Sequence, residues 1–94
     1  MSSNRAVFKY EITVDDQWHE IFMPIPAVDV HVASPPGVRG TVNVWAEVTP
    51  SGPELAVRKF RVFGTGQPIP DGAAYTGTAL AGPFVWHVYA EAIS

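Results

Sequence analysis

Three of the six basic side chains, Arg58, Lys59 and Arg61, fall within four positions and run straight into Gly64-Thr65-Gly66. Guanidinium groups and glycine amides can together hold a phosphate or another anion. The segment from Phe63 to Leu80 repeats Gly-Thr, sets Pro68 and Pro70 around Ile69, and carries one charge, Asp71. It is not a P-loop, because the lysine and the following helix that surround phosphate in that motif are missing. The dinucleotide pattern G-x-G-x-x-G also fails, since Gln67, Pro68 and Ile69 follow the second glycine. The prolines remove amide donors where an anion cradle would need them. Two readings remain. The glycines serve an ordered crossover, in which Ile69 plugs an apolar pocket, or Gly64, Thr65 and Gln67 line a small-ligand loop above Lys59 and Arg61. Lys59 and Arg61 share a strand face, with Arg58 opposite beside Phe60 and Val62. The basic run divides the same way, as solvated strand charges that discourage aggregation or as an anion site.

The three histidines, His19, His31 and His87, show no metal spacing. Asp29 and His31 share a strand face by alternation, which suits either an oriented imidazole or an ordinary polar contact. His87 stands on one face with Val85 and Tyr89, and reads as a hydrogen-bonded rim or core histidine on the candidate binding surface. Trp86 belongs to an apolar strand and reads as core. Trp45 alternates with inward-facing valines beside Asn43 and Glu47, so it is either an interface anchor or a ring packed beneath a loop. No nucleophile–base signature, metal set or cofactor motif emerges, so no catalytic residue, metal or cofactor is assigned.

Positioning these residues falls to strands. Nine prolines and eight glycines are spread through the chain, and no window keeps a helical apolar stripe. Alternating runs recur instead. In Arg5–Val14 the residues Ala6, Phe8, Tyr10, Ile12 and Val14 share a face, and Asp15-Asp16 then turns into Trp18–Met23 as a hairpin. Val28, Val30 and Val32 share a face in the next run, and Val42, Val44, Ala46 and Val48 do so in Thr41–Val48. Pro36-Gly37 fits the centre of a type II turn. Thr49–Glu54 is a loop, Leu55–Phe63 leads into the Gly-Thr segment, Tyr75–Leu80 makes a short strand, and Phe84–Ala92 closes the chain. The expectation is one all-β domain over 1–94: about seven short strands, mostly antiparallel, in a small sandwich or barrel.

Composition bounds the function. The chain is 47% hydrophobic and 16% charged. That is globular but poor in charge, so apolar surface is left over for an oligomer or partner interface. A net charge of −3 argues against bulk nucleic-acid binding. Absence of cysteine removes disulfides and thiolate metal sites. The start Met1–Ile12 has no signal-peptide pattern and no segment has the apolar length of a membrane span, so the expected setting is the cytoplasm.

The segments "KYEITVDD", "VNVWAEV", "FRVFGTG-x-PIP" and "YTGTAL…FVWHVY" come in an order that resembles a family of small uncharacterised proteins encoded by actinobacterial phages and some actinobacterial genomes. The resemblance runs from Lys9 to Tyr89. Members often carry His where this chain has Gln67, so an imidazole is not available there. The resemblance implies a phage accessory protein in the host cytoplasm, without a transferable activity. Together with composition it favours a non-enzymatic, homo-oligomeric protein that binds a host or phage protein, in host takeover or counter-defence. The alternatives are an oligomeric sequesterer of a small anionic ligand such as a nucleotide signal, and a small hydrolase.

Overall fold

The computed structural model describes residues 4–52 and 54–91. Among these residues seven strands form: β1 (Ala6–Thr13), β2 (His19–Pro24), β3 (Ala27–Ala33), β4 (Thr41–Val48), β5 (Leu55–Gly64), β6 (Ala73–Ala81) and β7 (Phe84–Glu91). Among the described residues there is no helix, and so none long and apolar enough to cross a membrane. Pro53 of the expected loop and Ala92 of the expected last strand lie outside the described residues.

The strands make two antiparallel sheets, a smaller one in the order β1-β4-β3 and a larger one in the order β2-β5-β7-β6. They face each other as a sandwich rather than a barrel. The alternation of β4 explains the core: Val42, Val44, Ala46 and Val48 point inward and are fully buried. Ile12 joins them from β1, and Met23, Phe60, Val62 and Val88 meet them from the larger sheet. The expected Pro36-Gly37 turn forms, with the Val38 amide donating to the Pro35 carbonyl at 3.4 Å.

Four expectations are corrected. The run after Asp15-Asp16 is not the second arm of a hairpin, because β1 pairs with β4 and β2 with β5. Asp15 accepts from the Gln17 amide at 2.9 Å and pairs with His19 Nε2 at 2.7 Å, folding the chain from one sheet to the other without a ladder. The His19 hydrogen bond also holds the Asp15 carboxyl below its usual range. In β3, a bulge between Asp29 and His31 resets the alternation at Val30. Val32 therefore faces the core, Val30 is exposed, and Asp29 and His31 point to opposite faces. Tyr75–Leu80 is part of a longer strand, β6, that pairs with β7. Finally, Ile69 is no plug: residues 65–72 cross over the end of β7 between β5 and β6, all of them exposed.

Candidate functional site

The outer face of the larger sheet, turned away from the core, gathers most of the candidate residues. Lys59, Arg61 and Phe63 alternate outward along β5 against Phe60 and Val62. Register then sets Phe63 beside His87 and Arg61 beside Tyr89 on β7. Tyr89 lies beside Tyr75, and His87 beside Thr78, on β6. Tyr75 and Thr78 are three residues apart and would face opposite ways in a regular strand. A bulge between Tyr75 and Gly77 puts them on one face.

Aromatic rings tile this face. Trp18 meets Phe63 edge-on at 6.1 Å, Tyr89 meets Phe63 at 5.6 Å, and Tyr75 meets Tyr89 at 5.5 Å. The Arg61 guanidinium lies 4.5 Å from the Phe63 ring centre, a cation–π contact. Phe63 is thereby only 1% exposed although it points away from the core.

A polar row runs beside the rings. Gly64 to Gln67 closes a turn, with the Gln67 amide donating to the Gly64 carbonyl at 3.2 Å and Gly66 at φ 92°, a conformation that suits glycine. The Gln67 side-chain carbonyl accepts from the Gly64 amide at 2.6 Å, so that amide is engaged within the turn. The turn presents the Thr65 hydroxyl to His87 Nε2 at 2.9 Å, while His87 Nδ1 meets the Thr78 hydroxyl at 3.1 Å. Thr78 continues the chain of hydrogen bonds to the Tyr75 hydroxyl. Asp16 closes one end, receiving the Gln67 amide group at 3.4 Å and lying 3.8 Å from Arg61.

An imidazole held between two hydroxyls lacks the carboxylate that orients the histidine and stabilises its cation in a Ser-His-Asp arrangement. Among the described residues no three or more His, Cys, Asp or Glu side chains could hold a metal ion together. What the face offers is a pre-ordered surface: rings fixed by one another and a row of hydroxyl, imidazole and guanidinium groups. Around it Phe22, Leu55, Tyr75 and Leu80 are each more than half exposed.

Of the candidates from sequence, Arg61, Gly64, Thr65, Gln67 and His87 come together here. Lys59 shares the face and stands opposite Glu20. Trp45 does not join them. It lies on the outer face of the smaller sheet, its ring 5.4 Å from that of His31. Arg58 faces the other way from Lys59 and Arg61, as alternation sets it, and forms paired hydrogen bonds to Asp29 at 2.6 and 3.0 Å. Trp18, Tyr75, Thr78, Tyr89 and Asp16 escaped the sequence reading as site residues. Tyr89 was within reach, since it alternates with His87; the others depend on pairing or on the bulge.

Apart from this face, a cleft of about 540 Å³ opens at one end of the sandwich between the β3–β4 loop and the β6–β7 turn. Phe84 and Trp86 stack there at 5.4 Å, and Arg39 reaches it from the loop. Arg39 forms no ion pair among the described residues, and no carboxylate lines the cleft.

Comparison with known proteins adds one match. The model of a family described as a domain of unknown function (DUF7352) matches residues 3–94. No curated protein and no solved structure matches the chain.

Proposed function

The chain belongs to the DUF7352 family, and we propose that it works without catalysis, by binding another protein through the outer face of its larger sheet. One observation carries this reading. That face is paved with ordered aromatic rings and exposed apolar side chains, and among the described residues no further layer covers it. Exposed apolar patches of this kind mark interaction sites, and rings already held in place lose little side-chain freedom on binding. In this reading the protein is a phage accessory factor that acts on a host or phage protein in the host cytoplasm.

Affinity capture from an actinobacterial lysate tests it in three arms: the natural chain, a Phe22→Ser/Leu80→Ser double variant, and Trp45→Ala. The expected result is one protein enriched by the natural chain and by Trp45→Ala, and lost with the double variant. Equal capture by the double variant would remove the larger sheet from the binding surface.

The cleft favours a second reading, binding of a small anionic ligand with a planar ring. Its volume falls within the roughly 300–1,000 Å³ of small-molecule sites. An aromatic pair for stacking and a guanidinium without an ion-pair partner among the described residues suit a nucleotide. A thermal-shift screen with nucleoside monophosphates and cyclic nucleotides checks it, because a ligand that binds only the fold raises its melting temperature. A shift that disappears in Arg39→Ala supports this reading; one that persists sinks it.

A further inference from the structure

Among the described residues the two sheets have four edge strands, β1 and β3 in the smaller sheet and β2 and β6 in the larger. An open edge invites another strand, and proteins block it with bulges, prolines or short length. Three of these edges carry such a device. β3 is broken by the bulge at Val30, β6 by the bulge at Thr76, and β2 has only six residues and ends at Pro24. β1 has none of them. It pairs with β4 over eight consecutive positions without a shift, it contains no proline, and no described strand lies on its other side.

Its one protection is charge. Lys9 and Glu11 are exposed on the outward face, and neither has an ion-pair partner among the described residues. Against an arbitrary strand a lone lysine discourages pairing. Against a second copy of β1 the two charges complement each other. We propose that β1 pairs antiparallel with β1 of a second copy about a two-fold axis at Tyr10, setting Lys9 of each chain opposite Glu11 of the other and joining the two smaller sheets into one continuous sheet.

The register follows from the sequence of the strand. An axis at Lys9 would oppose the two lysines, and an axis at Glu11 the two glutamates. An axis at Phe8 sets Lys9 against Val7, and one at Ile12 sets Glu11 against Thr13. Only the axis at Tyr10 satisfies both charges, twice over, while pairing Val7 through Thr13 of each strand. Directly opposed residues of an antiparallel pair share a face, so Phe8 and Ile12 stay on the core side and Lys9 and Glu11 on the solvent side. Phe8, 39% exposed on the strand's core-facing side, is then covered by the neighbouring chain. The contact is isologous, as closed two-fold dimers require. It leaves the outer face of the larger sheet free, so it stands apart from the proposed partner site.

Light scattering after size exclusion and sedimentation equilibrium test the pairing with four proteins: the natural chain, Lys9→Glu, Glu11→Lys, and the double variant Lys9→Glu/Glu11→Lys. The natural chain is expected to have twice the mass of the 10.2 kDa protomer. Either single variant places like charges across the seam and should raise the dissociation constant about tenfold or more. The double variant exchanges the charges and should dimerise again. An equimolar mixture of the two single variants should form a heterodimer, which also shows that each has folded. A natural chain that is monomeric at high micromolar concentration overturns the proposal. So does a dimer indifferent to Lys9→Glu, or a mixture of single variants that stays monomeric.

Discussion

Arg58 and Asp29 bring opposite charges together at the inner edge of the sandwich, each side chain 16% exposed. The guanidinium meets the carboxylate through two hydrogen bonds and lies 4.7 Å from the Phe60 ring centre. Removing one partner of such a pair strands the other charge where water reaches it poorly. Asp29→Ala should therefore lower the unfolding free energy by about 3 kcal/mol in urea titration. Asp29→Leu/Arg58→Met replaces both charges with apolar groups and should recover most of that loss. A single variant within about 0.5 kcal/mol of the natural chain, the range of an ordinary surface change, would show that the pair contributes little. Strict alternation sets Asp29 beside His31 in the sequence. The bulge at Val30 sends Asp29 to Arg58 and His31 to Trp45, and nothing local in "AVDVHVA" announces it.

Among the elements, β3 and β6 bring the two sheets into close contact at Val32 and Gly77. A Cβ at Gly77 would lie 2.5 Å from Val32 Cγ2 and 2.8 Å from Val32 Cβ. Glycine here is a requirement of sheet-to-sheet distance. Gly77→Ala should destabilise by about 1–3 kcal/mol through overpacking. Val32→Ala, placed in that background, should return part of the loss, because it removes the atoms that clash. Additive losses in the two variants would mean that the sheets do not meet at this point. Gly77 also follows the bulge that sets Tyr75 and Thr78 on the outer face. The sequence shows a Gly-Thr repeat at Gly64-Thr65 and Gly77-Thr78, yet the two copies serve different ends: one makes the turn that offers Thr65 to His87, the other lets the sheets approach.

For the whole molecule, order should follow depth in the two sheets. β4, β5 and β7 are paired on both sides, and the others on one side among the described strands. Amide hydrogen exchange should be slowest in these three, whose opening exposes the core, and fast in β2, β3, β6 and residues 65–72. Protection in β3 or β6 equal to that in β4 would contradict the sheet order. What the sequence determines on its own rests on short-range rules. The all-β class, the buried face of Val42, Val44, Ala46 and Val48, and the turn at Pro36-Gly37 all follow from a two-residue period and from turn chemistry within four residues. Tertiary structure alone decides which sheet each strand joins, and hence that Trp18, Phe63, Tyr89 and Tyr75 share a surface while Trp45 lies on the other side. The physical reason is twofold. Strand pairing is chosen by contacts between residues far apart in the chain, as β1 passes over β2 for β4. A single inserted residue, at Val30 or Thr76, reverses the face of every side chain beyond it.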